Sequence, residues 1–146
     1  MLSRTAEYAL RAIVWLSDRP DSAVTGQGIA TGTQVPPDYL SKVMQALVRA
    51  GLVGAQRGKN GGFSLTSPPD QITVLDVINA VDPVRRIRNC PLGLPGHEAL
   101  CPLHRTLDDI AAQLESSYRS IRISDLLRTT GVKPLCAVVG GLPCVR

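Results

Sequence analysis

Residues 35–65, VPPDYLSKVMQALVRAGLVGAQRGKNGGFSL, constrain the fold more than any other stretch of this chain. Leu40, Val43, Met44, Leu47 and Val48 follow the i, i+3, i+4, i+7, i+8 spacing of a helix with one buried face. Pro36-Pro37 opens that helix, where a missing N–H costs little, and Gly51 closes it. Its other face carries Asp38, Tyr39, Ser41, Lys42, Gln45 and Arg49. A short strand follows around residues 53–56, then the tip RGKNGG, then a second strand in which Phe63 and Leu65 alternate with polar or small residues. A polar-faced helix running into a tight basic hairpin is the order of a winged helix-turn-helix. In such a unit the helix lies in a DNA major groove, and the hairpin reaches a flanking minor groove or phosphate.

Charge is distributed in the same sense. Residues 1–83 hold seven Lys or Arg and seven Asp or Glu, so that half is neutral overall. Within residues 35–65 the balance is Lys42, Arg49, Arg57 and Lys59 against Asp38 alone. Cations are thus gathered on the proposed reading surface, although a solvated helix face can look alike. The net charge of +4 points mildly to polyanionic partners. An apolar fraction of 44% suffices for one domain with a buried core, even with few aromatics. No apolar run approaches the roughly 18 residues that span a bilayer. With no signal-peptide pattern either, the expectation is a cytoplasmic protein without a membrane partner. Its four cysteines are then ligands or thiols rather than structural disulfides.

The remaining segments fit around that centre. Residues 3–17 read as a first helix with Ala6, Ala9, Leu10, Ile13 and Leu16 as its buried stripe, and with Glu7 and Arg11 one turn apart. Thr25 caps a short second helix containing Ile29 and Ala30, weakened by three glycines at about 1 kcal/mol each. Thr73-Val74-Leu75-Asp76 is a capping-box pattern for a fourth helix that Asp82-Pro83 stops. A Pro/Gly-rich loop leads to a fifth helix near Pro102. There Leu103, Leu107, Ile110, Leu114, Ser117 and Ile121 alternate spacings of four and three. That row is either a face packed on its own domain or a dimer seam. The seam is favoured, because a helix-turn-helix commonly reads two half-sites as a dimer. Residues 124–127 begin a brief last helix. The fold class is therefore mainly α with a small β-hairpin wing: a winged helix-turn-helix plus a long dimerisation helix. Its parts are a DNA-binding region (1–83), a sensor loop (84–101), the dimerisation and terminal helices (102–130) and a tail (131–146).

YALRAIVWL, DYLSKVMQALVRAGLV, RGKNGGFSL and ITVLDVINAVD, in this order and spacing, resemble the Rrf2 family of bacterial transcriptional regulators over about residues 2–128. The resemblance implies a homodimer on a palindromic double-stranded DNA operator. It also implies a cysteine loop between the fourth helix and the dimerisation helix that in many members holds an iron–sulfur cluster.

Residues 90–104, CPLGLPGHEALCPLH, supply the chemistry for such a centre. Thiolate and imidazole suit iron–sulfur clusters and zinc. Cys101 and His104 stand one turn apart at a helix start, where the dipole favours a thiolate. Cluster-binding relatives usually carry three loop cysteines. Cys90 and Cys101 match the first and third, whereas Gly96, beside His97, stands at the second. Some relatives end the loop as Cys101…His104 does, and others recruit a carboxylate of the partner's first helix, where Glu7 falls. The implied ligands are Cys90, Cys101, His104, Glu7 and His97, and the implied cofactor is an iron–sulfur cluster, most plausibly [2Fe–2S]. From the residues alone the loop equally accommodates a thiol–disulfide switch, another metal, or two small buried hydrophobes. Cys136 and Cys144 lie beyond the resemblance and receive no role. Neither a phosphate loop nor an oxyanion loop nor paired carboxylates accompany the cysteines, so an enzyme is not expected. A winged helix devoted to protein contacts is the other alternative, and the basic wing tip argues against it.

Overall fold

The computed structural model describes residues 2–96 and 99–127. Its elements run in the order α1 (Arg4–Ser17), α2 (Gly26–Thr33), α3 (Pro37–Arg49), β1 (Val53–Gln56), β2 (Gly62–Leu65), α4 (Val74–Val81), α5 (Pro102–Ser120) and α6 (Ile123–Leu127). The architecture is mainly helical with one two-stranded antiparallel hairpin, as the sequence pattern requires.

Local caps start the helices. The Ser3 hydroxyl accepts the Ala6 N–H at 3.2 Å, and the Thr25 hydroxyl accepts the Gly28 N–H at 3.1 Å. Before α4, Thr73 and Asp76 form the full reciprocal capping box. Helix α1 then packs against α2, α3, α4, α6 and β2 together. Because several faces are covered, Ala12 and Trp15 are buried beside Ala6, Ala9, Ile13 and Leu16. Leu10, placed in the stripe by its spacing, is only half-buried. Three alanines on this helix let its neighbours approach closely.

The turn from α2 to α3 fixes the direction of α3. Gln34 adopts a left-handed conformation (φ 55°) and returns its N–H to the Ala30 carbonyl, while Val35 is buried beneath it. Gly32 faces the Trp15 indole so closely that a Cβ there would overlap the ring. In α3 the residues Leu40, Val43, Met44 and Leu47 are buried and Val48 is half-buried. The hairpin pairs Val53 with Leu65 and Gln56 with Gly62. One pairing has no counterpart in the sequence pattern. Val24, in the α1–α2 connection, exchanges N–H and carbonyl bonds with Phe63 at 2.9 and 2.8 Å. The wing is thereby bonded to the helix-turn-helix, not merely appended to it.

The C-terminal end departs most from the sequence reading. Helix α5 stops at Ser120, so Ile121 lies outside it in extended conformation. The Ile121 carbonyl accepts the Val74 N–H at 3.0 Å, and the Ile123 N–H donates to the Ile72 carbonyl at 2.9 Å. Ile123 is then fully buried in the core of the winged half. A boundary at residue 83 therefore does not enclose the whole core. No side chain of α5 is buried in the single chain: Leu103, Leu107 and Ile110 are exposed, and Leu114 is half-buried. No helix among the described residues is long and apolar enough to cross a membrane. His97, Cys136, Cys144 and the 131–146 tail lie outside the described residues.

The Gly32–Trp15 contact yields a stability prediction. Gly32→Ala must push α2 from α1 and should cost about 1–3 kcal/mol, despite the better helix propensity of alanine. Gly26→Ala, whose Cβ would meet Phe63 at an ordinary 3.7 Å, should cost nothing of that size. Urea midpoints at constant slope measure the difference.

Candidate functional site

All six polar residues expected on the reading face of α3 are exposed: Asp38, Tyr39, Ser41, Lys42, Gln45 and Arg49. They stand opposite the buried stripe because a 3.6-residue period separates the two sets. Asp38 occupies the first turn, where the helix dipole favours a carboxylate. Arg49 occupies the last, where it favours a cation. Tyr39 is braced from α1: its ring meets Tyr8 edge-on at 6.0 Å. Arg11 sits over Tyr8 at 5.7 Å and donates to the Thr33 carbonyl at 3.3 Å. Arg57 and Lys59 project from the wing tip around Gly58, whose φ of +112° suits glycine. Between α2, α3 and the wing runs an open groove lined by Gly26, Gln27, Ser41, Gln45 and Phe63. Gln27 joins the residues expected from sequence. The one signal that could have found it is its place in the first helix of a helix-turn-helix.

A second group assembles at the start of α5. Cys101 is the N-cap residue, Pro102 takes the first helical position, and His104 lies within the first turn. The His104 Nδ1 is 3.2 Å from the Cys101 Sγ and 3.6 Å from the Cys90 Sγ, and the three donor atoms lie within 4.8 Å of one another. Cys90 is buried and the other two are half-buried. Both cysteines are thiols, not a disulfide. The His104 backbone N–H pulls the Cys101 thiol below its ordinary value, partial burial opposes this, and the Cys90 side chain adds to the lowering. Glu7 is absent from this group within the chain; its carboxylate pairs with Arg11 on α1. His97 falls outside the described residues.

The segment that delivers Cys90 is tied down by contacts with no signature in the sequence. Arg86 Nε and Nη2 each meet one oxygen of Asp108 at 2.7 Å, and the Ile87 N–H donates to the same carboxylate at 2.8 Å. A further Arg86 N–H reaches Glu115 at 3.3 Å. Arg86, then the Ile87 amide, lower the Asp108 pKa to about 2, and the two carboxylates raise that of Arg86.

Chemically, two thiols and an imidazole nitrogen at contact range form a donor set for a thiophilic metal centre. A tetrahedral ion with bonds of roughly 2.0–2.3 Å needs donors roughly 3.3–3.8 Å apart, and His104 stands 3.2 and 3.6 Å from the two sulfurs. Donor type likewise fits an iron–sulfur cluster. Three donors leave at least one ligand position to another group.

Comparisons with known proteins bear on the family and the fold. The Rrf2 family profile, described as an iron-dependent transcriptional regulator, matches residues 2–129. A protein of Aquifex aeolicus named as an HTH-type transcriptional regulator is 31% identical over 133 residues, covering 87% of this chain and 91% of its own. Among solved structures, CymR, the global cysteine regulator of B. subtilis, superposes with a TM-score of 0.70 at 24% identity over 86% of this chain and 95% of that one. IscR of T. potens gives a TM-score of 0.72 at 22% identity, over 88% and 86%. At these identities the two structures speak to the fold.

The Asp108 shift has a definite sign. A carboxyl depressed by folding stabilises the native state fully above its ordinary value of 3.8, and the contribution fades as pH falls towards about 2. The Asp108 carboxyl carbon, followed by NMR, should titrate near pH 2 in the native protein and higher in Arg86→Ala. A native midpoint at or above 3.8 would remove the bidentate pair.

Proposed function

The chain belongs to the Rrf2 family of HTH transcriptional regulators, and from that premise we propose that it binds a palindromic operator as a homodimer under the control of a metal centre at Cys90, Cys101 and His104. The observation that carries the proposal is the pairing of two surfaces in one small fold: an exposed polar face on α3 beside a basic wing tip, and a converged thiol–imidazole group at the start of α5.

On this reading Tyr39, Ser41, Lys42 and Gln45 meet base edges in the major groove, with Asp38 and Arg49 at the two ends of the helix. Arg57 and Lys59 neutralise phosphates or enter the flanking minor groove. Leu103, Leu107, Ile110 and Leu114, continued by Ile121 just past the helix, supply the seam between two copies. Two α3 helices that read a palindrome must sit one DNA turn apart, about 34 Å.

The centre we assign is an iron–sulfur cluster, a [2Fe–2S] cluster in the simplest case. Cys90, Cys101 and His104 would hold it, Glu7 of the partner subunit would complete it after leaving Arg11, and His97 stands next in line. When bound, such a cluster supplies one-electron redox chemistry. The chain's part is to present the Cys90 and Cys101 sulfurs and the His104 Nδ1, and to link the occupied loop to α4 and α5. The cytoplasm, where thiols stay reduced, is the fitting compartment. Cys90 and Cys101 at close range also suit a second reading, direct thiol oxidation, which takes over if no iron is found.

Two measurements test the proposal. Operator binding followed by anisotropy should weaken in Arg57→Ala and Lys59→Ala, with a salt slope lower by about one unit for each phosphate no longer neutralised. Unchanged affinity and slope in the double variant would refute the groove assignment. Protein purified without oxygen should carry iron and absorb in the visible. Cys90→Ala and Cys101→Ala should each abolish that absorption, and His104→Ala or Glu7→Ala should make it labile or shift it. Colourless, iron-free wild type after attempted reconstitution would exclude the cluster.

A further inference from the structure

Cys101 and His104 share one turn of α5, so helix geometry alone fixes their spacing. Cys90 comes from residues 82–90, which leave α4 at Asp82-Pro83 and form no regular element. Its sulfur stands 3.6 Å from the His104 Nδ1. Asp108 ties the same segment to α5, four residues after His104 and hence one turn further along that helix. It takes both N–H groups of the Arg86 fork and the Ile87 amide. The segment therefore runs along α5 with two rungs, Arg86/Ile87 to Asp108 and Cys90 to His104.

Two parallel bonds to a planar guanidinium fix orientation as well as distance. Its bidentate geometry, not burial, separates this pair from loose surface ion pairs. Glu115 adds a third contact and is itself tied to Arg119.

Resting on the reading of Cys90, Cys101 and His104 as a metal site, we propose that Arg86 and Asp108 are positioning residues: their clamp sets the reach of Cys90 and thereby the affinity of the site. The clamp also joins the end of α4, which packs on α1 and α3, to the helix that bears the other two donors. Groups that orient metal ligands without touching the metal typically change affinity about 10–100-fold when removed.

The test uses Zn2+ as probe, with reduced full-length protein competing against a chromophoric chelator. Arg86→Ala and Asp108→Asn should weaken Zn2+ binding by about 10–100-fold. Arg86→Lys, which keeps the charge and loses the fork, should recover only part of that affinity. Arg85→Ala, a change at an exposed neighbour, should match wild type. Near-UV circular dichroism should stay native in all four, and if Arg86→Ala fails to fold, Arg86→Lys and Asp108→Asn decide. Affinity within twofold of wild type in the folded clamp variants would overturn the proposal. If wild type binds no Zn2+, the clamp is judged on the thiols instead. In a glutathione redox buffer, Cys90 and Cys101 lose two electrons and two protons to one glutathione disulfide, giving two glutathione molecules and one protein disulfide, mapped by mass spectrometry. Loss of the clamp should shift that equilibrium towards the dithiol, because the sulfurs are no longer held together. An unchanged equilibrium would overturn it.

Discussion

Everything in the winged half leans on α1. Ala6, Ala9 and Ala12 keep its surface low enough for α2, α3, α4 and α6 to close round it, and Ile13 and Leu16 fill the space between them. A dense core of this kind resists small displacements, since interior packing leaves few voids. The orientation of α3 is therefore inherited from α1. Two surface contacts reinforce it: the Tyr8 ring against Tyr39, and the Arg11 guanidinium on the Thr33 carbonyl at the turn. The wing is held in the same frame, because Val24 follows α1 and pairs with Phe63 before the chain enters α2.

What could be read from sequence was what is local. The α3 stripe, the Thr25 cap, the Thr73–Asp76 box and the glycine-rich hairpin tip all act within a few residues, and each is found where its signal lies. Leu10 against Ala12 and Trp15 shows the limit of periodicity. A stripe presumes one covered face, and α1 has several. Ile121 shows another: the four-three spacing continues past Ser120, but the backbone turns there to bond Val74. The Val24–Phe63 bridge and the Arg86–Asp108 clamp join residues far apart in sequence, and no short-range pattern announces them.

The two candidate sites differ in the same respect. The polar face of α3 is a property of one helix, and its exposure was legible residue by residue. The thiol–imidazole group is legible only in kind: residue types named the chemistry, while convergence depends on a loop of irregular chain meeting a helix start. Evolution can therefore adjust the two independently. Substitutions on the exposed face of α3 leave the core untouched. Substitutions in the segment before Cys90 alter the approach of its sulfur to His104 and leave the exposed face of α3 in place.

Ile123 carries one more consequence. It is fully buried among residues from the first half of the chain, yet it follows the long helix in sequence. During synthesis, domains complete as their last core residues emerge from the ribosome. The winged unit must therefore wait for residue 123, by which time residues 90–120, bearing Cys90, Cys101 and the apolar row of α5, have already been made. The nascent chain thus completes its winged half only once the long helix and the cysteine loop before it are already made.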